Sequence, residues 1–244
     1  MRIIFSFVFA ILFLVSCSNS NISDPQKIVD NAITAAGGDK FSDFLVDFDF
    51  RDKHYRGMRK NGSFQLERHF NDSLGEVKDI YTNDNFVRMI NDEVANIPDS
   101  MAFKYMNSVN SVHYFAMLPY GLNDPAVNKR FLGETQIKDK TYLKVEITFD
   151  EKDGGKDFED VFVYWFEKDT YKLDYLAYSY ITDGGGMRFR EVYKEQNVGG
   201  IRFSDYNNYK PLDNTMNPAI ADSLFVNKQL KLLSAIELKN IQVK

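Results

Sequence analysis

A period of two in the apolar side chains constrains this chain more than anything else. Across residues 142–149, Leu143, Val145, Ile147 and Phe149 fall on one side of an extended chain, and Lys144, Glu146 and Thr148 fall on the other. Successive side chains of a strand point to opposite faces, so this pattern predicts a strand with one buried and one solvated face. The same period appears in Phe44, Val46, Phe48 and Phe50, with Asp47 and Asp49 between them. Further strands are expected at 62–68, 77–82, 86–90, 171–180, 187–194 and 201–206, and a last strand or pair of strands at 231–243. Turn signals separate them: Asn83-Asp84-Asn85, Asp183-Gly184-Gly185-Gly186 and Gly199-Gly200. Residues 161–166, Val-Phe-Val-Tyr-Trp-Phe, are apolar on both faces. Such a strand meets the core on one side and a helix or cavity on the other. The chain carries 21 Phe and 14 Tyr against one Trp, a mix suited to pleated surfaces. The expected class is α+β, mostly antiparallel β.

Helical spacing appears early. Asp24 suits an N-cap and Pro25 the first helical position. Ile28, Val29, Ala32, Ile33 and Ala36 then recur on one face, and Gly37-Gly38 ends the helix. The stretch 92–128 breaks the strand rhythm. A helix is predicted over 99–109, with Met101, Tyr105 and Val109 on one side. An apolar, aromatic run follows from Tyr114 to Leu122, closed by Asn123-Asp124-Pro125. Left uncovered, it would be an exposed apolar patch. It reads as a helix or loop covering the concave face of a sheet, and also as the lining or lid of a lipophilic pocket.

The lone cysteine, Cys17, excludes an intramolecular disulfide, so a buried core must stabilise the body. Its position carries a second message. Arg2 precedes an apolar run from Ile3 to Val15, and the run closes Leu14-Val15-Ser16-Cys17. One positive charge, a short apolar stretch and small residues before a cut are the parts of a secretory signal. The run is shorter than the about twenty residues a spanning helix needs. The ending resembles the lipobox of bacterial lipoproteins. That resemblance implies cleavage before Cys17, a diacylglycerol on its sulfur and an acyl chain on its amine. Residues 1–16 are then the signal peptide, 17–24 a polar tether, and 25–244 one β-rich domain. Cys17 is not followed by Asp or by an acidic run. The expected place is therefore the outer membrane, facing the periplasm, with membrane lipid as the partner of acylated Cys17. The formal charge of −5 becomes −6 without Arg2 and argues against a nucleic-acid partner.

Three stretches together resemble a known family. They are Ala35-Ala36-Gly37-Gly38-Asp39-Lys40-Phe41, then Phe115-Ala116-Met117-Leu118-Pro119-Tyr120-Gly121-Leu122-Asn123-Asp124-Pro125, and residues 133–145 followed by Tyr164-Trp165-Phe166 and Asp169-Thr170-Tyr171-Lys172-Leu173. As a set they look like an uncharacterised domain-of-unknown-function family of bacterial lipoproteins. The last stretch is also similar to the LolA-like lipoprotein-carrier superfamily. That similarity implies a curved sheet or unclosed antiparallel half-barrel covered by helices, with an apolar cavity that holds acyl chains. The family has no assigned activity, so no functional residue carries over.

Patterns for catalysis and metal binding are weak. His54, His69 and His113 are well separated and form no His-Glu-x-x-His pattern. Gly184-Gly185-Gly186 lacks the Lys-Ser/Thr of a phosphate loop and reads as a hairpin turn. No nucleophile elbow of the form Gly-x-Ser-x-Gly is present. The acidic loop 150–157 lacks the ligand spacing of an EF-hand and reads as a solvated hairpin loop. Asp47 and Asp49 could form an acid/base pair of glycosidase type, but a solvent-facing strand explains them more simply. No metal and no cofactor is expected.

The leading reading is a non-enzymatic, membrane-anchored envelope protein, monomeric, that binds or carries a lipophilic small molecule. The cavity candidates are Phe115, Met117, Leu118, Tyr120, Phe162, Tyr164 and Phe166. The alternatives are a structural or protein-interaction lipoprotein without ligand, and an envelope hydrolase.

Overall fold

A computed structural model describes residues 23–152, 158–181 and 184–244. Cys17, the signal, most of the tether and part of the acidic loop 150–157 lie outside the described residues. The first helix, α1 (Pro25–Ala36), forms where its signals place it. The Asp24 carboxylate accepts hydrogen bonds from the backbone N–H groups of Gln26 and Lys27, and Gly37 caps the C-terminal end. Ile28, Val29, Ala32 and Ala36 are buried. Each large apolar side chain buried this way contributes roughly 1.5–3 kcal/mol.

Six strands follow: β1 (Phe44–Phe50), β2 (Lys53–Lys60), β3 (Ser63–Asp72), β4 (Gly75–Thr82), β5 (Phe86–Ile90) and the two-residue β6 (Glu93–Val94). After α2 (Asp99–Ala116) come β7 (Val127–Ile137), β8 (Lys140–Phe149), β9 (Val161–Glu167), β10 (Leu173–Tyr180), β11 (Gly186–Val198) and β12 (Ile201–Pro211). A short α3 (Ala221–Val226) precedes β13 (Leu230–Ile236) and β14 (Leu238–Val243). The described strands form two antiparallel sheets, ordered β14-β1-β2-β3-β4-β5-β6 and β13-β12-β11-β10-β9-β8-β7. The last segment is thus a pair of strands, one for each sheet, switching at Glu237. Inside the switch, the buried Asp205 carboxylate accepts the Leu238 N–H at 2.9 Å. The sheets are joined along this seam and are not closed, which makes the fold an α+β unclosed half-barrel. At their far edges, β6 and β7 are linked by the segment that contains α2. Among the described residues no helix is long and apolar enough to cross a membrane.

Three apolar clusters hold these layers. Leu143, Val145 and Ile147 of β8 pack with Phe162, Tyr164 and Phe166 of β9 against Ile28, Val29 and Ala32 of α1 and against Leu118 and Leu122. The other face of β9, Val163 and Trp165, packs with Tyr175, Phe189 and Leu224 of α3. The strand that is apolar on both faces is therefore covered on both. Phe44, Val46, Phe48 and Tyr55 of the first sheet pack on Phe41, Ala116, Met117, Phe203 and Leu238.

Two features differ from the sequence expectation. The side of β8 expected to be solvated is partly covered by the 219–226 segment. Lys144 donates to the Ala219 carbonyl and to the Asp222 carboxylate, and Trp165 Nε1 donates to the same carboxylate at 3.3 Å. A charge can lie under a helix because an opposite charge there satisfies it. The second difference is the length of α2. It continues past Val109 through Tyr114, Phe115 and Ala116, so the aromatic run, read as helix or loop, starts as helix. Aromatic residues have modest helix propensity, and here tertiary burial overrides it.

Candidate functional site

The C-terminal half of α2 lies between the two sheets and has two inward faces. Ser111, Val112, Phe115 and Ala116 face one cavity, and Asn110, His113, Tyr114 and Met117 face another. The grouping follows from helix geometry, because residues three and four apart share a side. The larger cavity has a volume of about 570 Å³. Its first-sheet wall includes Phe44, Val46, Gly57, Phe64 and Leu66, and Tyr120, Val127 and Phe149 line it opposite. The smaller cavity, about 260 Å³, lies at the seam between the sheets, with Phe50, Ile236 and Leu238 in its wall. A layer of rings separates the two. Phe162 stacks on Tyr178 of the smaller cavity at 5.3 Å and meets Phe149 of the larger one at 5.7 Å.

The sequence candidates divide three ways. Met117 and Tyr120 line the larger cavity, and Phe115 lines the smaller. Leu118, Phe162, Tyr164 and Phe166 belong to the cluster packed beneath α1. Of these four, Phe162 and Tyr164 reach toward the cavities. Phe162 packs against Phe115 at 6.3 Å, and the Tyr164 hydroxyl meets that of Tyr114 at 3.1 Å. Burial pushes both tyrosine hydroxyls up, so both stay protonated.

Sequence reading did not single out His113, Arg59 or Arg190 as lining residues, and it took in Tyr114 only as the start of the aromatic run. His113 is buried, and its Nε2 donates to the Glu67 carbonyl at 3.1 Å. Its Nδ1 has no hydrogen-bond partner among the described residues. Burial drives its pKa down to about 4, against the pull of the carbonyl bond, so the ring is neutral at pH 7. A side chain at Gly57 would meet His113 Nδ1 at 3.2 Å; glycine there lets the helix approach the sheet. Arg59 sits near the larger cavity over the rings of Tyr120 and Phe64, at 5.1 and 5.5 Å. In the smaller cavity, Arg190 lies 3.9 Å from the Phe115 ring centre. The signal for Arg190 was available in β11, where Met187 and Phe189 occupy the apolar phase and Arg190 takes a core-facing place in the opposite one.

The carboxylate pair on β1 does not form a free acid/base site. Asp47 accepts from Arg56 Nε at 2.7 Å and contacts His54 Nε2 at 3.2 Å. Asp49 contacts His54 Nδ1 at 2.8 Å and accepts from Asn240 at 2.6 Å. Asp47 is buried rather than solvent-facing. Its burial raises the pKa, but the Arg56 and His54 contacts outweigh that, and the net direction is down. Asn240 and then His54 lower that of Asp49. Both acids are held ionised, so neither is a proton donor at neutral pH. Among the described residues no group of three or more His, Cys, Asp or Glu side chains could hold a metal ion.

The sequence matches the model of a family of unknown function, DUF6503, over residues 2–239. The chain belongs to that family. No curated protein matches this DUF6503 member. Among solved structures it is similar to a LolA superfamily protein from Nitrosomonas europaea, with TM-score 0.50 and 9% identity over 89% of this chain and 92% of that one. It also aligns with a DUF1329 family protein from Desulfovibrio piger, with TM-score 0.39 and 10% identity over 89% of this chain and 92% of that one. A candidate outer membrane lipoprotein-sorting domain from Vibrio parahaemolyticus aligns with TM-score 0.43 and 7% identity over 92% of this chain and 94% of that one. The first likeness agrees with the LolA-like architecture of the DUF6503 chain, and at such identity it speaks for the fold alone.

Proposed function

We propose that this protein is a lipid-anchored envelope protein whose body holds a lipophilic ligand without a catalytic step. The observation that carries the reading is the larger cavity beside α2, lined by Phe44, Phe64, Tyr114, Met117, Tyr120 and Phe149. Its 570 Å³ falls in the range of about 300–1,000 Å³ usual for small-molecule sites. Aromatic rings and methionine supply adaptable apolar contact there. Of the sequence candidates, Met117 and Tyr120 touch ligand in this cavity on this reading, and Phe115 faces the smaller cavity instead. Leu118, Phe162, Tyr164 and Phe166 form the packed floor behind them. The likeness to a LolA superfamily protein adds an architecture able to enclose such a ligand. The hydrolase alternative draws no support from Asp47 and Asp49, whose oxygens are occupied by neighbouring side chains.

On the same reading, residues 1–16 are removed, Cys17 carries the lipid and residues 17–24 tether a monomeric body to the outer membrane. Cys17→Ser then releases the protein from membranes and abolishes incorporation of labelled palmitate. Labelling that survives the substitution contradicts the anchor. For the ligand, the full chain carrying Cys17→Ser is purified without detergent, extracted with organic solvent and analysed by mass spectrometry. A stoichiometric lipid in the extract is the expected result. A clean extract, together with no uptake of added fatty acid, refutes the carrier reading.

A further inference from the structure

The smaller cavity holds a cation with no acidic counterpart among the described residues. Arg190 is 8% exposed. Its Nη2 donates to the Tyr178 hydroxyl at 3.1 Å, while Nε and Nη1 are buried and have no hydrogen-bond partner among the described residues. Its guanidinium lies against two neighbouring rings, 3.9 Å from the centre of Phe115 and 5.3 Å from that of Tyr178. Ring faces attract a cation but do not take up its N–H groups. A buried arginine that serves only the fold is normally paired with a carboxylate, because an uncompensated buried charge is costly. This chain follows that rule elsewhere: buried Arg68 and Arg88 both bind Asp79, and Arg202 binds Asp174 and Glu195. Arg190 departs from it. Among the described residues, no aspartate or glutamate lines its cavity. A second arginine, Arg51, does line it, with Ser111, Ser204 and Asn208. The Oδ1 of Asn208 is another buried atom without a partner. The protein as a whole is acidic, at −5, so a cavity lined by two cations and no acid is a local reversal of sign.

We propose that Arg190 receives the anionic head of an amphiphilic ligand, a carboxylate or a phosphate on an acyl chain. This rests on the reading of the half-barrel as a lipophilic-ligand carrier and names the head group that reading leaves open. The two unpartnered N–H groups offer the donors that an anionic oxygen accepts, and charge-assisted bonds of this kind are strong in a dry site. Phe115 covers the guanidinium, so the head group enters as that ring swings aside. The first methylenes pack on Phe115 and Tyr178, and the chain passes toward the larger cavity as the Phe162 ring of the dividing layer shifts.

The test uses the full chain carrying Cys17→Ser and four ligands with the same sixteen-carbon chain. Palmitate and 1-palmitoyl lysophosphatidate are the anionic arms, and they separate a carboxylate from a phosphate. Hexadecanol and 1-palmitoyl glycerol are the uncharged arms. The expected result is that at least one anionic ligand binds about tenfold or more tightly than the uncharged ones. Arg190→Gln removes that preference, bringing the affinity for the anionic ligands down toward that for hexadecanol. Equal affinity for anionic and uncharged ligands overturns the head-group assignment and leaves the carrier reading intact. Binding of none of the four overturns both. Should Arg190→Gln fold poorly, Arg190→Met supplies a second measurement. Without ligand it melts no lower than the parent if the charge serves a ligand, and clearly lower if the charge serves the fold.

Discussion

Several buried polar residues in this chain are accounted for by their neighbours, and their titration has a definite sign. His113 is neutral in the fold with a pKa of about 4, against 6.5 for a free ring. The unfolded chain binds its proton first as pH falls, so stability is full above pH 6.5 and is lost between 6.5 and 4. The shift corresponds to roughly 3 kcal/mol. Glu67 acts one step lower. Burial alone would raise its pKa, but hydrogen bonds from His69 and Gln65 and the Lys78 charge bring it to about 2 from 4.5. Its contribution is present above pH 4.5 and is lost as pH falls toward 2. Denaturant melts across this range should show two descending limbs. His113→Gln, which keeps a donor for the Glu67 carbonyl, should flatten only the upper one; an unchanged slope between pH 6.5 and 4 would contradict the assignment. Asp79 is completely buried between Arg68 and Arg88, with Ser108 and Tyr105 of α2 over the two arginines. Asp79→Ala leaves two buried cations unpaired and should destabilise the protein by about 3–5 kcal/mol in urea melts. A loss below about 1 kcal/mol would show that water reaches the arginines and replaces the carboxylate.

At the scale of elements, what could be read in the chain depended on whether a local period encoded it. Asp24, Pro25 and Gly37 mark α1 at both ends. The alternation in β1 and β8 and the two apolar faces of β9 predict strands that are present. The division into two sheets was not legible, because a period of two says which face a residue takes and nothing about which strand lies beside it. The 231–243 segment shows this most clearly: Ile236 pairs with Tyr206 in one sheet, and Leu238 pairs with Phe50 in the other. The switch depends on Asp205, distant in sequence, which accepts the Leu238 N–H. Asp205→Ala leaves that N–H unpaired in a buried place and removes the contact with Lys194 at 3.6 Å. The expected cost is about 1–3 kcal/mol, with faster hydrogen exchange in both β13 and β14. Exchange confined to one of the two strands would argue against a shared seam. In α2 the helical period becomes hard to read after Val109, because the apolar run from Tyr114 to Met117 spreads over both cavity-facing flanks, and exposed Asn110 and Ser111 are the last of the solvated stripe.

For the molecule as a whole, the sequence found the neighbourhood of the cavity better than its walls. Phe115, Met117 and Tyr120 stand out because an apolar, aromatic run flanked by polar residues needs cover. Phe166 and Leu118 stand out for the same reason, yet they are filled core, since composition does not tell a packed ring from a lining one. His113 could be recognised only after the fold brought its ring nitrogen into apolar surroundings, and the phase of β11 marks Arg190 while only the fold shows that, among the described residues, no acid meets it. The proposed anchor, by contrast, rests on the sequence alone, at Leu14-Val15-Ser16-Cys17. The central claim is that the space beside α2 is a binding cavity for a lipophilic ligand. Its most direct test is a titration of a fluorescent fatty acid into the full chain carrying Cys17→Ser, with and without Met117→Trp, which fills the larger cavity with an apolar ring. We predict saturable one-to-one binding at roughly micromolar concentration in the parent, and loss of binding in Met117→Trp at unchanged far-ultraviolet circular dichroism. Absence of saturable binding in the parent, or equal binding by the folded Met117→Trp protein, would contradict the account.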